Sequence, residues 1–225
     1  MEGITIEGIA THFATADGSL KNEVFEQQLR LFNNFVNNAQ AQYKKSFLLH
    51  CSNSSAILVY PEAQFNLVRP GISVYGYYPS AEIERLCREK NIVLNPAFSL
   101  KTKIAQIKTL PANHGISYGS TFVTKQPTRV CLLPIGYYEG LTRNVSNKGY
   151  VFIKNKKAKI LGRVCMHMTV VDAAQIPDAA IEDEVIVIGK NANGDSNILE
   201  IAEFMGTNIN EVLVKIPKEI PRYYL

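Results

Sequence analysis

The sequence predicts an α/β first part followed by a mostly antiparallel β second part, and three observations lead there. Up to about Lys90, short apolar runs with polar ends alternate with stretches whose apolar residues recur at helical spacing. After about Asn95 the apolar runs are β-rich and are separated by Pro, Gly and Asn. With 225 residues and 46% hydrophobic side chains, the chain can bury one large core or two smaller ones. The division is drawn at 1–93 and 94–225.

In chain order, ITIEGIATHF (4–13) predicts a strand ending in a polar tip. EVFEQQLRLFNNFVNN (23–38) spaces Phe25, Leu29, Phe32 and Val36 along one helix face. FLLHCSNSS predicts a second strand with a polar end, and FNLVRPGISVYG (65–76) a third. SAEIERLCREK (80–90) predicts a short helix capped by Ser80. Near-continuous apolar strands separated by helices imply βα units on a parallel sheet, whose functional groups sit at the carboxyl ends of the strands. His12, Ser54 and the Arg69–Gly71 turn occupy such positions.

In the second part, FSLKTKIAQIKTL, RVCLLPIGYY, GYVFIKNKKAKILGRVCMHMTVVDA and DEVIVIG are the β runs, with NKK as a hairpin tip. One helix is expected there, SNILEIAEFMG (196–206), capped by Ser196 or Asn197 and stopped at Gly206. The lysines at 154, 156, 157 and 159 are read as a solvated hairpin.

Composition excludes several function classes. Twenty-four Lys and Arg against 20 Asp and Glu leave a net charge of +4, too mild to imply nucleic acid or a membrane surface as partner. Cys51, Cys87, Cys131 and Cys165 are widely spread without a CxxC pair, so neither disulfides nor a metal site is expected, and a reducing cytoplasm fits. MEGITIEGIATHF lacks the basic and continuous apolar regions of a signal peptide, and no apolar stretch approaches membrane-spanning length.

Four groups could carry chemistry. His12 in THFATAD is either a structural histidine or a functional one. HCSNSS (50–55) is either an ordinary helix cap or an anion cradle, because the free N–H groups of a first helical turn attract phosphate. RPGI (69–72) is either a turn or the place where a permanently charged guanidinium faces a ligand. SYGS (117–120) and GYYEG (136–140) set tyrosines beside glycines, and GRVCMHM (162–168) completes the set.

These segments, together with SLKTKIAQIK, LLPIGYYEGLTR and the terminal IPR, stand in the order and near the spacing of the alanine racemase family, which the chain resembles over essentially all 225 residues. The resemblance implies a partial (β/α)8 (TIM) barrel of about three βα units followed by an antiparallel β domain. It further implies pyridoxal 5'-phosphate (PLP) as cofactor, a two-base interconversion of L- and D-alanine for peptidoglycan, and a homodimer sharing its sites. By the same resemblance Arg69 bonds the pyridine nitrogen, with His12 beside it. Ser54 and the N–H groups of Gly71 and Ile72 hold the phosphate. Tyr118 is the base on the L-alanine side, coupled through the partner subunit's His12, and Tyr137 and the Met166 backbone bind the substrate carboxylate. Cys165 is read as packed.

The sequence also departs from the family. The Schiff-base lysine, which the family carries in a lysine-alanine-asparagine-alanine-tyrosine-glycine context, has no counterpart in these 225 residues, nor has the upstream arginine. The expectation is a carboxy-terminal portion whose three strands cannot close a barrel and which is inactive alone. The alternatives are a non-catalytic remnant or dimerisation module, and a racemase of broader specificity. His167 and Met168 stand where an acid and glutamine are common, and Lys218 where some members place a phosphate-binding tyrosine.

Overall fold

The computed structural model describes residues 3–18, 22–194 and 196–224. The chain forms two compact units, Met1–Ala97 and Phe98–Leu225.

In the first unit, strand β1 (Gly8–Ala10) pairs in parallel with β2 (Leu48–His50), Gly8 opposite Leu48 and Ala10 opposite His50. A Cβ on Gly8 would stand 2.6 Å from the Leu48 carbonyl oxygen, so glycine is what lets the two backbones approach. Helix α1 (Glu23–Tyr43) connects them. It opens on Asn22, whose side chain accepts the Phe25 N–H, and it closes on Lys44 in the left-handed region. Phe25, Phe32 and Val36 are buried as the helical spacing requires, and Leu29 packs partly buried beside them. Helices α2 (Ser54–Val59) and α3 (Ala81–Glu89) complete the packing, the latter capped by the Ser80 hydroxyl accepting the Ile83 N–H. Phe13, Phe25, Tyr60, Ile83, Leu86 and Cys87 belong to one apolar cluster, with the Phe25 and Tyr60 rings stacked at 4.1 Å.

Two strand expectations change. The strand read over 4–13 contracts to β1. The third strand read over 65–76 does not form: Phe65 takes φ 49°, Pro70 has no N–H to offer, and Ile72–Tyr75 winds into a 3-10 turn. The segment is nonetheless tied alongside β2 by two bonds, Leu67 N–H to Leu49 O at 3.2 Å and Arg69 N–H to Ser52 O at 2.9 Å. The described residues form two parallel strands and no closed barrel.

The second unit is antiparallel throughout. Strands β3 (Leu100–Lys103), β4 (Gln106–Leu110), β5 (Gly115–Ile116), β6 (Phe122–Val123), β7 (Thr128–Leu133), β8 (Tyr150–Ile153), β9 (Lys156–Lys159), β10 (Thr169–Asp172) and β11 (Glu184–Ile188) make a sheet ordered β10-β7-β4, another ordered β3-β11-β8-β9, and the ribbon β5-β6. The β8-β9 hairpin turns on Lys154 and Asn155, both at positive φ, as a two-residue hairpin turn of the primed kind demands. Its lysines are partly engaged: Lys154 pairs with Asp183 at 3.2 Å and Lys157 lies over the Tyr150 ring. Phe152, Ile153, Leu133, Val187 and Ile188 are almost wholly buried.

Helix α4 (Ile198–Met205) starts after Asn197 and stops at left-handed Gly206. The Asn197 side chain does not cap it; it donates to the Val187 and Tyr150 carbonyls and accepts the Gly189 N–H. A second helix, α5 (Ile209–Val214), was not expected. Its signal was the Asn208-x-x-Glu211 spacing, where the Asn208 side chain accepts the Glu211 N–H. No described helix is long and apolar enough to cross a membrane.

Candidate functional site

In the first unit, the ends of β1 and β2 converge on Arg69. Its Nη1 donates to the His50 carbonyl at 2.8 Å and meets His50 Nδ1 at 2.5 Å. Its Nη2 donates to the Thr11 carbonyl at 2.8 Å and meets His12 Nδ1 at 3.3 Å. Both histidines accept through Nδ1, because a guanidinium can only donate. Four of the five guanidinium N–H groups are thereby spent, and among the described residues the Nε–H has no acceptor. No carboxylate pairs with Arg69 either, so its charge is not neutralised within the described chain.

Two residues further on, the Gly71 N–H donates to Ser54 Oγ at 2.9 Å, and the Ser73 N–H and hydroxyl reach the same oxygen at 3.3 and 3.1 Å. The Ile72 N–H is not part of this knot and has no acceptor among the described residues. Ser54 is buried at the first turn of α2, next to Asn53, whose side chain accepts the Ala56 N–H. Behind it, Cys51 is fully buried. Burial pushes its thiol up to about 11, while the nearby Arg69 charge and a hydrogen bond with Ser52 pull the other way.

In the second unit, the segment after β7 lies against the segment before β10. The Tyr137 N–H donates to Cys165 O at 3.0 Å and the Tyr138 N–H to Met166 O at 3.1 Å. A Cβ on Gly136 would lie 2.0 Å from Cys165 O, so no other residue permits this approach. The Met166 N–H has no acceptor among the described residues. Nearby, Gly162 at φ +77° passes the Ile116 carbonyl, and Ser117 Oγ donates to Arg163 O at 2.6 Å. Ser117 itself sits at φ 63°, outside the comfortable range of an L-residue. This pins the 3-10 turn Tyr118–Ser120 and leaves Tyr118 71% exposed, its hydroxyl without a partner in the described chain.

Residues 97–224 match the family described as alanine racemase, C-terminal domain. The chain belongs to the alanine racemase family. Residues 1–79 also match the alanine racemase N-terminal domain. Alanine racemases of Desulfosudis oleivorans and Clostridium perfringens are 35% and 39% identical to it, each over 100% of this chain and over 56% and 57% of their own lengths. The solved alanine racemase of Clostridium difficile superposes with TM-score 0.88 at 34% identity, covering 100% of this chain and 57% of the other. That of Streptomyces lavendulae gives TM-score 0.86 at 34% identity over 97% and 56%. The chain thus spans a little over half the length of the alanine racemases it matches.

The structure sets His12 against Arg69 and Ser54 against Gly71 in the first unit, leaves the Ile72 N–H outside both contacts, and lays the Tyr137–Tyr138 backbone along Cys165 and Met166 in the second, with Tyr118 on a turn of its own. Three partners escaped the sequence reading. His50 makes the shorter histidine contact to Arg69, and its only signal was its place at the strand end in HCSNSS. Ser73 joins the Ser54 knot four residues after Arg69. Glu139 bonds His167 Nδ1 at 2.6 Å, a pairing that its position in GYYEG does not reveal.

Proposed function

We propose that the chain supplies the coenzyme ring site, the phosphate site and the substrate-carboxylate site of an alanine racemase that works as a homodimer in the cytoplasm. The observation that carries this reading is the Arg69 guanidinium, held by four acceptors with its Nε–H left to donate, beside a serine and backbone N–H cluster. That donor set fits PLP: Nε–H for an unprotonated pyridine nitrogen, and for the phosphate the Ser54 hydroxyl proton and the free Ile72 N–H, joined by the Gly71 N–H once phosphate replaces Ser54 Oγ as its acceptor. When bound, PLP supplies an electron sink that lets the α-proton of an amino acid leave and return. A permanently charged donor at the ring nitrogen limits the strength of that sink, which favours reprotonation over side reactions.

The remaining roles fall to the second unit. Tyr118, exposed and unpartnered, takes and returns the α-proton on the L-alanine side. The Tyr137 phenol and the free Met166 N–H hold the carboxylate. His12 keeps Arg69 in place and, across the dimer, couples to Tyr118.

A second reading is a non-catalytic or dimerisation chain, and the same experiment separates the two. The experiment titrates PLP into the chain, then assays D-alanine formation from L-alanine with the chain alone and mixed with the amino-terminal segment of the Clostridium difficile relative. PLP binding weakened at least tenfold by Arg69→Ala supports the coenzyme site. Racemisation restored in the mixture and lost about 10²-fold or more in Tyr118→Phe supports catalysis. PLP binding with no turnover in any mixture establishes the second reading. Rates with serine, lysine and arginine decide whether the enzyme is specific for alanine.

A further inference from the structure

The Glu139 carboxylate makes two bonds that face in different directions. Oε2 accepts the Gly136 N–H at 2.8 Å, within its own turn. Oε1 takes His167 Nδ1 at 2.6 Å, from the other segment. The first bond sets the shape of the Gly136–Glu139 turn, and the second ties that turn to Cys165–Met168. Between the two ties lie the Tyr137 and Tyr138 N–H bonds to Cys165 O and Met166 O, and the Gly136 contact that excludes a side chain. The Tyr138 ring packs beside the His167 ring, centroids 5.0 Å apart, which limits its rotation.

A carboxylate only accepts, so the imidazole proton facing it sits on Nδ1 and the Nε2 edge turns away. Glu139 is the more enclosed partner, 17% exposed against 55% for His167, so the bond closes the turn from its outer side. An exposed ion pair alone is worth little. This one differs because its carboxylate is also a ligand of the backbone it stabilises.

We propose that Glu139 and His167 form a clasp that sets the spacing between the Tyr137 phenol and the Met166 N–H, and are therefore positioning residues for whatever carboxylate those two groups bind. The role rests on the reading of Tyr137 and Met166 given above; the clasp itself does not.

The test uses the whole ¹⁵N-labelled chain and the variants Glu139→Ala, His167→Ala, both together, and Glu139→Gln. The amide signals of Gly136, Tyr137 and Tyr138 move in His167→Ala, that of Met166 moves in Glu139→Ala, and the double variant moves no further than the larger single one. Long-range imidazole spectra show the proton on Nδ1 of His167 in the wild type and a redistributed tautomer in Glu139→Ala. Glu139→Gln, which keeps the side chain's shape, changes the His167 ring signals and leaves the Gly136 bond in place. Amide changes confined to the substituted segment, or additive in the double variant, overturn the clasp. L-alanine titration then tests its purpose. Affinity falls roughly two- to tenfold in both single variants, the loss of one modest hydrogen bond, and no further in the double. Coupled amides with identical L-alanine affinity in every variant, or with no binding at all, overturn the positioning role. The PLP titration of Arg69→Ala judges the racemase reading separately.

Discussion

Arg69 is stabilised by carbonyls and imidazoles and not by an acid, and this explains both its place and its reach. A guanidinium held by four acceptors, none of them an acid, has its charge left uncancelled, so its field acts on neighbours; Cys51 registers it as a pull opposing burial. Burial wins there, which fixes the sign of a pH effect. The Cys51 thiol stays neutral in the folded chain up to about 11 and ionises near 9 once unfolded, so its contribution to stability is whole below pH 9 and is lost as pH rises between those values. The same reasoning orders the four thiols. Cys51, Cys87 and Cys131 are buried with their thiols pushed up by desolvation, whereas Cys165 is partly exposed. An alkylating reagent at pH 8, followed by intact mass and peptide mapping, should place the first adduct on Cys165, with the other three modified only in denaturant. Labelling of Cys51 at the rate of Cys165 would contradict the burial described for β2 and its loop.

At the scale of elements, α1 depends on its first residue outside the helix. Asn22 accepts the Phe25 N–H at 3.1 Å, accepts the Thr15 hydroxyl at 3.0 Å and donates to the Thr15 carbonyl, so one side chain both caps the helix and anchors the loop that follows His12. Asn22→Ala is expected to lower stability by about 1 kcal/mol, the usual loss for a removed cap, and to broaden the amide signals of Thr15 and Ala16. A urea midpoint unchanged beyond error would show that the cap carries no such weight. Helices of this kind were legible in the sequence because their apolar period and caps are local: α1, α3 and the Gly206 stop all follow from residues within one turn. The third strand and the length of β1 were not, since a strand exists only through its partner, and the positive φ of Phe65 and the 3-10 turn at Ile72 break the ladder that the apolar run alone implies. The site divides the same way. Arg69, Ser54 and Gly71 belong to recognisable segments, while His50, Ser73 and the Glu139–His167 bond arise from segments brought together only by folding.

Over the whole molecule, the separation into two units has an energetic consequence. The first unit packs Phe25 against Phe13 and Tyr60, at ring distances of 4.4 and 4.1 Å, and Phe25 is only 2% exposed. The second buries Phe152, 1% exposed, on the central strand pairing of β8 with β11. Each phenyl therefore belongs to the core of one unit, and removing either ring deletes transfer free energy and leaves a cavity, a cost of about 3–5 kcal/mol. Units with separate cores unfold as separate cooperative blocks unless a large shared interface couples them. Calorimetry of the chain should accordingly show Phe25→Ala lowering one transition and Phe152→Ala lowering another, each leaving its companion within about 1 °C. If the proposed coenzyme site holds, addition of PLP should raise the transition that Phe25→Ala lowers, because Arg69, Ser54 and Gly71 all lie in that unit and a ligand stabilises the state that binds it. A single transition moved equally by both substitutions would mean that the two cores fold as one, and a PLP effect confined to the Phe152 transition would take the coenzyme site away from Arg69.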